Sequence, residues 1–146
     1  MAWDSYVAGK QGGDARSTGH ALPAGSTIGP MPLNMFMAPG DASLDDMVRG
    51  TKRGLWVKRF WYTRTVHPLN VVTTGMTRDG TFLIENGQVV GPVANMRFTQ
   101  DYVEALNHVD QVGRDPMLVL GDIGGGARSV PALKLSKWNF TGVSEA

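Results

Sequence analysis

Three histidines, His20, His67 and His108, stand far apart in the sequence, and there is no cysteine. Metal-assisted hydrolysis needs protein ligands converging on one ion and a position left for water. The H-E-x-x-H pair that sets two imidazoles one helical turn apart is absent. His67 reads as a strand end before Pro68, and His108 as an exposed position on a helix. Without cysteine there is no thiol nucleophile, no CxxC redox pair, no thiolate metal site and no disulfide framework. Among the carboxylates, Asp79 and Glu85 share one face of a strand by parity. At ~3.3 Å per residue they lie about 20 Å apart, too far to work on one bond.

Two further stretches have the composition of binding sites. Residues 121–129 include Gly124-Gly125-Gly126 but fit neither the P-loop nor the G-x-G-x-x-G spacing. They read as a loop, with Arg128 available to an anion. Between Met47 and Arg78 there are cations at Arg49, Lys52, Arg53, Lys58, Arg59, Arg64 and Arg78 and no acid. Trp56, Phe60, Trp61 and Tyr62 are interleaved with them. A single-stranded nucleic acid, stacked on aromatics and paired to cations, fits strand 49–64 on this composition. An acidic peptide or protein surface fits it equally. So does an ordinary strand whose long charged stems lie along aromatic neighbours.

These residues need elements to position them. Residues 55–64 are rich in strand formers, His67-Pro68 breaks the run, and the β-branched 71–74 form another strand. Asp79-Gly80 reads as a turn. Residues 81–85 and 88–93 flank Asn86-Gly87, a pair suited to a two-residue type I′ hairpin because both positions need positive φ. Ser43 opens a helix to about Gly50, with Asp46 completing a capping box. Residues 99–112 carry apolar residues at helical spacing, with Thr99 as cap and Gly113 as stop, and are expected to form the main helix. Residues 33–38, 117–120 and 132–140 complete the strands, and 3–8 suit a short helical piece. The expected fold is α+β, a mostly antiparallel sheet with two helices.

A chain of 146 residues can bury a core without staples. With 42% hydrophobic and 18% charged residues it reads as soluble and globular. No run approaches the ~18 apolar residues of a membrane span. No secretory-type start is seen, so the expected location is the cytoplasm, with no membrane partner. Glycine is abundant, 19 residues, and six of them fall in residues 1–31. That segment reads as a glycine-rich lead-in to a domain spanning 32–146.

The string Gly75-Met76-Thr77-Arg78-Asp79-Gly80-Thr81-Phe82-Leu83-Ile84-Glu85-Asn86-Gly87, followed by Pro92-Val93, strongly resembles the C-terminal region of the TldD/PmbA family. This family has also been called modulators of DNA gyrase. Ser17-Thr18-Gly19-His20-Ala21-Leu22-Pro23 is similar to the family's STGHALP segment. Pro39-Gly40 before the Ser43 helix, Arg53-Gly54-Leu55 before the basic strand, and Val130-Pro131-Ala132-Leu133-Lys134-Leu135 match in order. The resemblance covers nearly the whole chain.

It implies an incomplete, barrel-like C-terminal domain of a longer protein. In this family TldD-type subunits are intracellular zinc peptidases that pair with TldE-type subunits and cut unfolded or short peptides. Their zinc ligands are two histidines of an H-E-x-x-x-H helix, expected upstream of residue 1, and a cysteine on a late loop. The loop aligned here, 121–129, has no cysteine. The resemblance therefore implies a non-catalytic TldE-type part of a metallopeptidase heterodimer. It implies no catalytic or metal residue and no cofactor in this chain, with zinc in a TldD-type partner. The implied partners are that subunit, an N-terminal domain and the peptide; nucleic acid is not the expected one. Candidate peptide or partner contacts are Arg59, Trp61, Thr77, Arg78, Asp79 and Arg128, with Asn86 and Gly87 as a structural turn. The competing readings are a nucleic-acid-binding module on strand 49–64 and a fragment of a divergent zinc metallopeptidase.

Overall fold

The structure, a computed structural model, describes residues 2–120 and 126–143. In chain order its elements are α1 (Ser5–Gln11), β1 (Met35–Phe36), α2 (Leu44–Arg49), β2 (Arg53–His67), β3 (Val72–Glu85), β4 (Gln88–Pro92), β5 (Met96–Asp101), α3 (Tyr102–Leu106), β6 (Val109–Val112), β7 (Met117–Leu120), β8 (Ala127–Val130), β9 (Leu133–Leu135) and β10 (Phe140–Val143). Two compact units are present. One joins the residues up to Ala38 with Pro116–Val130, and the other joins Pro39–Asp115 with the residues from Pro131 onward.

In the first unit, Asp4 caps α1 by accepting from the Val7 N–H at 2.7 Å. The glycine-rich segment folds back on this helix entry. The Trp3 N–H donates to the Thr18 hydroxyl at 2.7 Å, and the Thr18 N–H to the Trp3 carbonyl at 2.9 Å. The same hydroxyl meets His20 Nδ1 at 2.7 Å. A small sheet follows in the order β1-β8-β7, with β1 parallel to β8 and β7 antiparallel to it.

The second unit is built on the long β2–β3 hairpin. Its sheet has the order β10-β5-β3-β2, every pair antiparallel, with β4 also pairing β3. Separately, β6 pairs β9. Phe98, fully buried, sits at the centre of an aromatic cluster. Phe60 lies 4.6 Å from it between ring centroids, and Trp138 stacks on Phe60 at 4.9 Å with planes 7° apart. Tyr102 meets Trp138 edge-on at 5.7 Å. Such pairs contribute about 0.5–1.5 kcal/mol each beyond the area they bury.

Local chemistry sets several boundaries as expected. Ser43 and Asp46 form the reciprocal capping box on α2. Asn86 (φ +49°) and Gly87 (φ +78°) join β3 to β4 in a two-residue turn with both angles positive. The mostly antiparallel α+β class holds.

Four expectations are corrected. The main helix over 99–112 is replaced by a strand end, five residues of α3, and strand β6. Ladder pairing overrides the helical spacing: Phe98 through Asp101 pair with Gly75 back to Val72, and 109–112 pair with β9. Asp101, not Thr99, is the cap, accepting from the Glu104 N–H at 2.9 Å, and Gly113 lies just past β6, buried against Ala132. Asp79-Gly80 is a bulge and not a turn. Both residues have positive φ, and both lie opposite Lys58 alone, so 72–85 is one continuous strand. The closing strand 132–140 is two strands on different partners, β9 on β6 and β10 on β5. Finally, residues 127–129 of the expected loop belong to β8; Gly121 to Gly125 lie outside the described residues.

Candidate functional site

Cross-strand partners point to the same side of a sheet, as do residues two apart on a strand. Arg59 is opposite Arg78, Trp61 opposite Met76, and Met76 opposite Arg97. These five side chains therefore share one face of β2, β3 and β5. A second bulge adds to them. Trp61 pairs with Met76 but Arg64 with Thr74, so Tyr62 and Thr63 together face only Gly75. The extra residue reverses the parity and brings Arg64 onto the face that holds Arg59 and Trp61. Tyr62 takes the positive φ of the bulge, +54°.

The face is basic and open. Arg59 pairs with Asp79 and lies over the Trp61 ring at 4.8 Å. Arg64 lies over the Tyr62 ring at 4.2 Å and donates to its hydroxyl at 2.6 Å. Arg78 and Arg97 are exposed and form no ion pair among the described residues. On β10, Gly142 lies opposite Arg97, with open space where its side chain would be. The carboxylates sharing this side are already engaged. Asp79 holds Arg59, Glu85 faces Arg53 at 4.0 Å, and Asp101 caps α3.

Four of the sequence-derived contact residues, Arg59, Trp61, Arg78 and Asp79, thus come together on the second unit. Thr77 points to the opposite side and is fully buried, accepting from the Met96 N–H at 2.9 Å. Arg128 lies on β8 in the first unit. Arg64, named in sequence only as part of the cation run, and Arg97 also join the patch. Arg64 needs the bulge, and Arg97 needs the β3–β5 register; neither leaves a local signal.

No metal-type grouping accompanies this face. Among the described residues no three His, Cys, Asp or Glu side chains are gathered to hold an ion. His20 belongs to the first unit, His67 Nδ1 accepts from the Asn70 N–H at 3.3 Å, and His108 Nδ1 bonds the Glu104 carbonyl at 2.8 Å. A shallow hollow beside the Asn86 turn is lined by Lys52, Arg53, Glu85 and Asn86. Asp46 and Tyr102 have shifted pKa values with structural causes. The Ser43 hydroxyl and N–H hold the Asp46 carboxyl below its usual range, and burial pushes the Tyr102 phenol up. No described helix is long and apolar enough to cross a membrane.

Fold and strand order define a strand-rich α+β domain of the kind found at the C-terminal end of PmbA- and TldD-type proteins. The profile of the PmbA/TldA metallopeptidase C-terminal domain matches residues 1–142, and the chain belongs to that family. TldE from Thermococcus kodakarensis superposes with a TM-score of 0.76 at 22% identity, over 97% of this chain and 31% of that one. A candidate modulator of a DNA gyrase from Thermotoga maritima gives 0.74 at 16% identity, over 97% of this chain and 30% of that one. A metalloprotease of Methanothermobacter thermautotrophicus is 27% identical over 112 residues, which is 74% of this chain and 24% of the relative. The chain therefore spans about a quarter of that curated relative and under a third of the two solved chains.

Proposed function

We propose that this domain serves as the C-terminal part of a TldE-type, non-catalytic subunit. In that role it supports peptide hydrolysis by a zinc-bearing TldD-type partner in the cytoplasm. The observation that carries the reading is the likeness to TldE over 97% of the chain, combined with a sequence that has no cysteine to offer zinc. The open basic face of β2, β3 and β5 is then a surface for the partner or its peptide.

The test is co-purification of this chain with a TldD-type metalloprotease, with zinc analysis of each polypeptide and a peptide-hydrolysis assay. The expected result is a complex with zinc in the partner alone. Stoichiometric zinc in this chain, peptide cleavage by this chain alone, or failure of the two to associate overturns the proposal.

A further inference from the structure

We infer that the arginine face of β2, β3 and β5 binds an extended peptide carrying acidic residues at alternate positions. The argument begins with an electrostatic cost. Arg59 and Arg78 are directly opposite each other, and like charges in that relation destabilise a sheet. Arg97 is diagonal to Arg78 across Met76, and Arg64 is brought in by the bulge. Of these four arginines, Arg59 alone has a carboxylate partner among the described residues, Asp79. An anion laid on the face relieves the repulsion among the rest.

The geometry selects the anion. Diagonal neighbours on adjacent strands lie about 7–8 Å apart. Side chains on one side of an extended peptide recur at about 6.5–7 Å. A strand with acids at positions i and i+2 therefore meets successive guanidinium groups, each able to take a carboxylate through two parallel N–H bonds. The Arg59–Asp79 pair shows a carboxylate accommodated in this setting.

The aromatics argue against the nucleic-acid alternative. A single-strand platform needs free rings on which bases stack. Here Trp61 is occupied by Arg59 and Tyr62 by Arg64. Of the four aromatics that read as a stacking platform in sequence, Trp61 and Tyr62 are cation–π partners that hold two guanidinium groups in place, Phe60 is packed against Phe98 and Trp138, and Trp56 packs on Phe82.

This inference sharpens the contact role proposed above for these residues, and its test needs no zinc subunit, so the two fail separately. A fluorescein-labelled peptide alternating Glu and Ser is titrated with the whole chain at low salt and followed by anisotropy. The controls are the same peptide with Gln for Glu and an oligothymidylate of equal charge. The Glu peptide is expected to bind, the Gln peptide to bind at least about tenfold more weakly, and added salt to weaken the complex. The double change Arg78→Gln with Arg97→Gln is expected to lose roughly tenfold or more. Arg16→Gln with Arg114→Gln removes equal charge elsewhere and is expected to lose little. Arg78→Lys with Arg97→Lys keeps the charge but not the fork, and an intermediate loss is expected. No binding of the Glu peptide, equal losses in the two Gln variants, full affinity in the Lys variant, or tighter binding of the oligothymidylate each overturns the inference.

Discussion

The ring of Phe98 fills the space that a side chain at Gly75 would need. A Cβ at Gly75 would stand 2.8 Å from Phe98 Cζ and 2.9 Å from Cε1, and 3.1 Å from the Thr63 methyl. The two residues are paired across β3 and β5, and Phe98 is in turn packed by Phe60 and Trp138. The glycine is thus the floor of the aromatic cluster. Gly75→Ala is expected to destabilise the domain by about 1–3 kcal/mol, because a ring held by two others cannot step aside. Gly91→Ala, where a Cβ meets nothing within 4 Å, is expected to stay within about 0.5 kcal/mol of the parent. Urea unfolding followed by tryptophan fluorescence compares them, and equal stabilities would show that the cluster yields.

The Asn86-Gly87 turn is more than a chain reversal. Its tip docks on the segment after α2: the Asn86 N–H donates to the Lys52 carbonyl at 2.7 Å, and the Gly87 N–H to the Thr51 carbonyl at 2.9 Å. A Cβ at Gly87 would lie 2.7 Å from the Arg49 carbonyl oxygen and would also carry a φ of +78°. Gly87→Ala is therefore expected to cost more than the roughly 1–2 kcal/mol of a left-handed alanine alone. Asn86→Gly suits its positive φ and is expected to be close to neutral. Thermal melts of the two variants separate the contact from the turn preference.

What was legible in the sequence is what local chemistry decides. The capping box of Ser43 and Asp46 and the Asn86-Gly87 turn depend on residues a few positions apart. So does the aromatic-rich start of β2. The long strand β3 reads as two pieces in sequence because Asp79-Gly80 has the composition of a turn, and only pairing with β2 shows that the chain runs on. The segment 99–112 misled for the opposite reason. Its apolar spacing is helical, yet Val103 and Leu106 are exposed, and burial is claimed by Phe98 and Gln100 on a strand. The arginine face was half legible. Arg59, Trp61, Arg78 and Asp79 follow from the cation run and the family string, whereas Arg64 and Arg97 join through a bulge and a strand pairing of long sequence separation.

The capping box gives a pH prediction. The Ser43 hydroxyl and N–H lower the Asp46 pKa in the fold. A lowered acid pKa contributes stability fully above the unfolded value, ~3.9 for Asp, and loses it as pH falls through the folded value. Ser43→Ala removes the larger cause, the hydroxyl, and leaves the N–H. The difference in stability between parent and Ser43→Ala is therefore expected to be full near neutrality and to shrink on acidification below about pH 4. Denaturation midpoints across that range check it, and a pH-independent difference would mean that the hydroxyl works through the N–H of Asp46 alone.

Tyr102 gives the opposite sign. Burial raises its pKa, so the neutral phenol is favoured in the fold. That contribution is complete below the unfolded value, about 10, and is lost as pH rises through the folded one. Ultraviolet titration is expected to show a late tyrosine ionisation, and Tyr102→Phe to abolish that late step. A late step that persists in Tyr102→Phe assigns it elsewhere.

Asp79 stands in competition with the acidic peptide for Arg59. Its carboxylate pairs with that guanidinium while both remain about half exposed, 53% and 49% for the side chains. Its backbone has φ +61°, a region that Asn adopts as readily as Asp. Asp79→Asn therefore keeps the bulge and removes the charge. With Arg59 released and the face more basic, affinity for the Glu-Ser peptide is expected to rise roughly twofold to fivefold, the range of an exposed ion pair. The dependence on salt is expected to steepen with it. A loss of affinity would mean instead that Asp79 holds Arg59 in its binding posture over Trp61. The same titration that measures the parent distinguishes the two, because competition and orientation move the dissociation constant in opposite directions.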